Sequence, residues 1–183
     1  MEDLFIAFLQ RSEKLRPGYV NSLGKATSLP EVIYDVRYPE LLKVIYQQVS
    51  GTKSNIIDQK YMDFIPGYYL IHIDEYGDSL ELQKQIVEEF SDKRLIPILR
   101  NYSSDFVSLD VDSGSIYLVY HDDDEIYKIY ENGSNFLQTL TAFYEQKVYF
   151  LDNDNYLDYD ADLEYTVAHH LNPSIDYWAE QEV

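Results

Sequence analysis

Residues 95–144 read LIPILRNYSSDFVSLDVDSGSIYLVYHDDDEIYKIYENGSNFLQTLTAFY, and this stretch decides the fold. It holds four short apolar runs separated by turns rich in Asp, Ser, Gly and Asn, followed by a segment whose apolar residues repeat at helical spacing. Consecutive strands joined by turns this short pair antiparallel, because parallel neighbours need a long crossover connection. We therefore predict an antiparallel meander followed by a helix.

The four apolar runs give the predicted strands their bounds: Leu95–Leu99, Phe106–Val111, Ile116–Tyr120 and Ile126–Tyr130. Asp112-Ser113-Gly114 supplies the turn of the central hairpin, and a charged turn follows at residues 121–125. Asn132-Gly133 breaks the last strand. Ser134 is predicted to cap the helix that begins there.

Further helices and loops are predicted on both sides of this stretch, which makes the chain an α+β protein. Helices are expected over residues 2–16, from Pro39 to a stop at Gly51, over residues 80–90 with Ser79 or Asp78 as the cap, and from Leu163 to Leu171. Tyr68–Ile73 predicts a short strand, and Asp152–Asp160 an acidic, tyrosine-rich loop. We expect one domain over residues 1–183, with an antiparallel sheet of about four to six strands flanked by helices.

Negative charge is concentrated in the second half of the chain. The protein carries 14 Lys and Arg against 33 Asp and Glu. Residues 1–100 hold 12 basic and 15 acidic groups, whereas residues 101–183 hold only Lys128 and Lys147 against 18 acidic groups. Such a field repels nucleic acid and anionic membranes, and it attracts basic proteins and speeds their docking. The sequence therefore predicts a protein partner, with no nucleic-acid or membrane binding.

Several classes of protein are excluded by composition. The chain has no cysteine, so it forms neither disulfides nor thiolate metal sites. No stretch approaches the roughly 18 apolar residues of a membrane span, and the acidic N-terminus is unlike a signal peptide, so we expect a soluble, cytoplasmic protein. The chain also has no glycine-rich phosphate loop and no nucleophile elbow.

Short motifs occur in an order that resembles the SUKH superfamily, which includes yeast regulators of cell-wall glucan synthesis and many bacterial toxin-immunity proteins. The motifs are Pro39-Glu40-Leu41-Leu42 with Tyr46 and Val49-Ser50-Gly51, then Phe64-Ile65-Pro66, Leu95-Ile96-Pro97-Ile98, Asp105, Leu109-Asp110, Gly114-Ser115-Ile116-Tyr117, and Ser134–Leu140. They span about residues 30–145. The C-terminal helix and tail, residues 152–183, include Leu171-Asn172-Pro173 and Tyr177-Trp178, as in some bacterial members. Ser104 stands where the superfamily usually has glycine.

The resemblance implies a non-enzymatic α+β module that binds a protein partner and needs no cofactor. Combined with the charge, it predicts an acidic immunity protein that neutralises a basic toxin such as a nuclease. The alternative is an interaction scaffold of the cell-wall-regulator kind. The predicted partner-binding residues are Asp105, Asp110, Asp122, Asp123, Asp124, Glu125, Tyr117 and Tyr120.

Two kinds of chemistry remain as weaker alternatives. Asp105 and Asp110 flank one strand and would serve a paired-carboxylate hydrolase only if the strand bulges, because a spacing of five places them on opposite faces. The run Asp152–Asp158 is rich in oxygen ligands but lacks the Gly and Glu that the EF-hand loop requires, which leaves a calcium site of another kind open. The four histidines show no ligand spacing, so no metal site is predicted.

Overall fold

A five-stranded antiparallel sheet lies at the centre of the computed structural model, which describes residues 1–26, 28–31, 38–88 and 91–179. Its strands lie in chain order and are β1 Tyr69–Leu70, β2 Leu95–Arg100, β3 Phe106–Asp110, β4 Ile116–Val119 and β5 Ile126–Tyr130. Strand β1 lies within the predicted strand Tyr68–Ile73, β2 to β5 are the four strands predicted for the meander, and all neighbours pair antiparallel. The predicted α+β fold is confirmed.

Helices surround the sheet within the described residues. They are α1 Glu2–Leu15, α2 Tyr19–Ser22, α3 Glu40–Gln48, α4 Tyr76–Val87, α5 Gly133–Glu145 and α6 Ala161–Leu171, with short 3-10 turns at Gln59–Tyr61, Ile73–Glu75 and Asp176–Trp178. Gln83 of α4 donates a hydrogen bond to Ser108 of β3, which places α4 on one sheet face. On the opposite face, Phe136 of α5 packs against Tyr130 of β5, with ring centroids 5.4 Å apart. Strands β3 and β4 are buried on both sides as a result.

Two predicted helix caps are wrong. Helix α5 is capped by Asn132, whose side-chain oxygen accepts hydrogen bonds from the backbone of Ser134 and Asn135, so Ser134 lies inside the helix. Helix α4 begins at Tyr76, directly after a 3-10 turn, so neither Ser79 nor Asp78 caps it. Asparagine is as good a cap as serine, so residue type did not distinguish Asn132 from Ser134. Residues 89–90, predicted at the end of this helix, and residues 180–183 of the predicted tail lie outside the described residues.

Gly51 has a different role from the predicted helix stop. Helix α3 ends at Gln48, and Gly51 lies beyond it with a positive φ of 101°. A β-carbon at this position would lie 2.4 Å from the carbonyl oxygen of Ile71. Gly51 is therefore required because the backbone at Ile71 approaches it closely, in a conformation that other residues rarely adopt.

The loop before β3 keeps a glycine-like conformation without a glycine. Ser104, which stands where the superfamily usually has glycine, has φ of 72°. Its hydroxyl accepts a hydrogen bond from the Arg100 guanidinium at 3.1 Å. The left-handed backbone costs a residue with a side chain about 1 kcal/mol, which this contact partly offsets.

The predicted acidic loop at residues 152–160 contains the turn and the second strand of a hairpin. Strands β6 Tyr149–Leu151 and β7 Leu157–Tyr159 pair antiparallel, and Asp152 holds the turn by accepting hydrogen bonds from the backbone of Asp154 and Tyr156. The strands were missed because each has three residues with one buried side chain at most, too few for a visible alternation. In the described part of the chain, no helix has the length and apolar character needed to cross a membrane.

Candidate functional site

The turn between β4 and β5 carries the densest group of carboxylates. Asp122, Asp124 and Glu125 are exposed, and Asp123 is half-buried. The Asp123 carboxylate accepts hydrogen bonds from the Tyr127 hydroxyl at 2.6 Å and from the backbone N–H of Glu125 at 3.2 Å. Asp123 thus holds the turn in shape, while its three neighbours project their charges into solvent. We call residues 122–125 the acidic turn.

An ion pair fixes the start of the acidic turn. Asp105 accepts hydrogen bonds from the ring Nδ1 of His121 at 2.7 Å, from the His121 backbone at 2.9 Å and from the Asn101 amide at 2.7 Å. Burial on its own would raise the pKa of Asp105, but the hydrogen bonds from His121 and Asn101 outweigh it and lower that pKa. The same hydrogen bond raises the pKa of His121. In mildly acidic solution Asp105 is therefore ionised and His121 is protonated.

Metal-ligating atoms converge in the described residues at Asp105, His121 and Asp122, where they lie within 4.8 Å of one another. Both oxygens of Asp105 already accept hydrogen bonds, and the His121 nitrogen that approaches it donates one of them. The contacts are those of an ion pair, and a cation would have to displace them. The sequence did not indicate this group, because Asp105 and His121 are 16 residues apart and match no short metal-binding motif.

Asp110 lies at the opposite end of β3 and holds the other turn. It is 3% exposed and accepts hydrogen bonds from the backbone of Asp112 and from the Ser113 hydroxyl, with the Lys93 ammonium 3.6 Å away. Five residues along a strand separate it from Asp105 by about 17 Å. The two carboxylates therefore do not share a hydrolase site. Their direct contact with a partner stays a prediction, and the contacts present give both a role in shaping turns.

The two predicted tyrosine anchors lie on opposite faces of the sheet. Tyr117 is 8% exposed, pairs with Ser108 on the face of α4, and has the Lys93 ammonium 5.0 Å from its ring centroid. Tyr120 follows β4, is half-buried and points toward the other face. Tyr120 is thus the tyrosine that lies beside a cavity. Residues three apart on a strand face opposite sides, so the sequence could have separated these two.

A cavity of about 160 Å³ lies between this second sheet face and the C-terminal segment. Aromatic side chains form most of its wall: Tyr68, Tyr120, Tyr130, Phe136, Tyr149, Tyr159, Tyr177 and Trp178. We call it the aromatic cavity. The sequence did not predict it, because its walls come from strands, helices and loops that are distant along the chain. The abundance of tyrosine, 19 of 183 residues, was the available signal.

Aromatic rings connect this cavity to the acidic turn. The ring of Tyr127, whose hydroxyl binds Asp123, lies 6.0 Å from that of Tyr120 and 6.1 Å from that of Tyr177. Tyr177 in turn contacts Trp178 edge to face at 4.8 Å. The acidic turn and the aromatic cavity therefore form one continuous surface.

Glu164 of α6 is the acidic residue of the cavity wall. Burial raises its pKa to about 7, far above the 4.5 of a free glutamate. Within the described ranges, no hydrogen bond or ion pair to its carboxylate is present. The site thus combines exposed carboxylates on a turn with one partly buried carboxylate among aromatic rings.

The match to a known family spans the sheet and the acidic turn. The family model described as SMI1 / KNR4 family (SUKH-1) matches residues 31–139, more than half of the chain. The chain belongs to this family. No curated protein matches it.

SUKH-1 proteins function by binding partner proteins, and they are in general non-catalytic immunity or regulatory proteins. The acidic turn lies inside the residues that match SUKH-1. Tyr149, Tyr159, Glu164 and the pair Tyr177-Trp178 lie beyond residue 139, so one wall of the aromatic cavity is built by chain outside the SUKH-1 match.

Proposed function

We propose that this protein is a non-enzymatic, acidic binding module that acts in the bacterial cytoplasm as an immunity protein, neutralising a basic toxin domain such as a nuclease. The acidic turn carries this proposal: three exposed carboxylates stand together on a turn whose shape is fixed by Asp123 and by the Asp105–His121 pair. Lys and Arg side chains of a partner are the groups that such a turn attracts.

The distribution of ion pairs supports a free negative surface. Among the described residues, three carboxylates of the second half are paired with cations of the first half: Asp110 with Lys93, Asp112 with Arg94 and Glu145 with Arg11. None of these belongs to the acidic turn. Its carboxylates have no Lys or Arg partner among the described residues, and Asp122 lies 4.0 Å from the ring of His121. The charges of Asp124 and Glu125 therefore extend into solvent without a cationic partner in this part of the chain. A positively charged surface would therefore be steered toward this side of the molecule.

The test is charge reversal at the three exposed positions of the turn. Asp122, Asp124 and Glu125 are changed to lysine, and Asp123 is kept because its contact with Tyr127 shapes the turn. The association rate of the partner captured from cell extract is then measured at about 0.05 M and about 0.5 M salt. We expect association at low salt to slow at least about tenfold, and the difference to shrink at high salt.

A matched control reverses three exposed carboxylates on the other side of the sheet, Asp78, Glu81 and Glu88. It changes the net charge equally and should affect association much less. If the turn variant and the control behave alike, or if neither salt nor the turn variant changes the rate, the steering proposal is wrong.

The family match also supports the second candidate, a regulator of cell-wall synthesis or signalling that acts as a scaffold. The two functions differ in what the complex does. An immunity protein restores growth of cells that express its toxin partner, and it binds that partner tightly. A scaffold binds several partners weakly and gives no rescue, so co-expression with the captured partner separates the two.

A further inference from the structure

We propose that the aromatic cavity binds one guanidinium group, that of an arginine side chain on the basic partner, with Glu164 as its counter-ion. The inference deepens the proposed function and rests on it, since it names the side chain that enters the surface beside the acidic turn. It adds a binding site one wall of which, including Glu164, is built by chain outside the family match.

The size and walls of the cavity suit a flat cation. Its volume of about 160 Å³ is close to the roughly 150 Å³ of a cavity that takes benzene, and a guanidinium with its last methylene group is of similar size. Tyrosine and tryptophan rings attract a cation over their faces through the ring quadrupole. The wall therefore favours a group that is both planar and positively charged.

Glu164 supplies the charge that such a cation requires. Its carboxylate is partly buried, and no Lys, Arg or His side chain of the described residues pairs with it. The titratable side chains near the Glu164 carboxylate are Tyr130, Tyr149, Tyr159 and Tyr177. An unpaired carboxylate in such surroundings destabilises the free protein, and a cation from outside would relieve that cost.

The protein already contains one buried guanidinium that lies over a tyrosine ring. Arg16 is fully buried, and its guanidinium lies 3.7 Å from the ring centroid of Tyr19. It donates hydrogen bonds to the Tyr144 hydroxyl at 2.7 Å and to the backbone carbonyl of Asp63 at 2.6 Å. A tyrosine ring and oxygen acceptors therefore already surround one buried arginine in this fold.

The choice of arginine over lysine follows from shape and hydration. A guanidinium is planar, stacks on rings and is more weakly hydrated than the compact ammonium of lysine, so it loses less on entering an aromatic wall. It also donates two parallel hydrogen bonds to one carboxylate, which Glu164 can accept. Because the aromatic cavity lies next to the acidic turn, one basic surface of the partner can contact the cavity and the turn together.

The test uses a small probe, so that it does not depend on the partner. Nα-acetyl-arginine methylamide is titrated into the full chain, and binding is followed by the fluorescence of Trp178, the one tryptophan in the sequence, which lines the cavity. Nα-acetyl-citrulline methylamide has nearly the same shape but carries no charge. The lysine analogue is positively charged, but its ammonium group is not planar. We expect saturable binding of the arginine probe and weaker binding of the other two.

Two variants assign the binding to the cavity. Glu164→Gln keeps the shape and removes the charge, and we expect it to weaken arginine binding by about tenfold. Asp162→Asn removes one charge from the same helix at an exposed position and should leave binding within about twofold. The inference is overturned if citrulline or lysine binds as tightly as arginine, or if Glu164→Gln has no effect.

The experiments distinguish an error in the cavity proposal from an error in the proposed function. The probe reports on the cavity alone, whereas the association rate of the lysine-substituted turn reports on partner binding. If the probe does not bind but the turn variant slows association, the cavity inference falls and the binding function stands.

Discussion

Replacing Glu164 by glutamine should stabilise the folded protein, and the gain should depend on pH in a defined way. The pKa of this carboxyl is about 7 in the folded chain and 4.5 in the unfolded chain, because burial disfavours the ionised form. Between these values the folded state binds more protons than the unfolded state, so the free energy of unfolding of the wild-type protein falls as pH rises through this window.

The size of the effect follows from the two pKa values. At about 1.4 kcal/mol per pKa unit, full ionisation of Glu164 costs the folded state up to about 3 kcal/mol at pH 8. Solvent reaches the open side of the cavity and screens part of this, so we expect about 2 kcal/mol. Glutamine is never ionised, so Glu164→Gln should be more stable by that amount at pH 8 and nearly equal to the wild type at pH 4.

Urea unfolding followed by circular dichroism, at intervals from pH 4 to pH 8.5, measures this difference. Asp162→Asn is the control, because it changes the same charge on the same helix at an exposed side chain. If the stability difference between Glu164→Gln and wild type does not change with pH, Glu164 is not an unpaired, desolvated carboxylate. The basis for its role as a counter-ion would then be lost.

Three further predictions concern the backbone and the ion pair. Ser104→Gly should raise the free energy of unfolding by about 0.5–1 kcal/mol, because glycine adopts the positive φ of 72° without strain; urea unfolding measures it. Gly51→Ala should lower the free energy of unfolding by at least about 3 kcal/mol, since the new β-carbon would lie 2.4 Å from the Ile71 carbonyl oxygen; the same unfolding experiment measures the loss. The pKa of His121, followed by NMR, should lie above 6.5 and fall back toward that value in Asp105→Asn.

Matched controls accompany these three predictions. Ser103→Gly changes the neighbouring serine, which lies in the same loop without a positive φ, and should not stabilise the protein. Gly67→Ala has a positive φ of 78° but open space around it, so it should cost about 1 kcal/mol, and an equal cost at Gly51 would contradict the close-approach argument. Asp122→Asn should lower the pKa of His121 less than Asp105→Asn does, because its oxygen lies 4.0 Å from the ring and not 2.7 Å.

The strands of the meander were predictable because their signals are local. Each of β2 to β5 is a run of a few apolar residues bounded by turn-forming residues, and short turns leave only antiparallel pairing. The caps were less predictable, since Asn132 and Ser134 are equally suited by residue type and only the backbone geometry chooses between them. The hairpin of residues 149–159 was missed because its two strands have three residues each and the acidic and polar residues between them are typical of a loop.

The sequence by itself determined the α+β class, the antiparallel meander, the family and the excess of negative charge, because these depend on composition and on patterns within about ten residues. Only the tertiary structure decided which charges are available. It buried Asp105 and Asp110 as supports of turns, left the acidic turn exposed, and brought Tyr68, Tyr120 and Glu164 to one cavity. Side chains separated by tens of residues meet only when helices and sheet pack, and desolvation in that packing gives Glu164 a property that its residue type does not have.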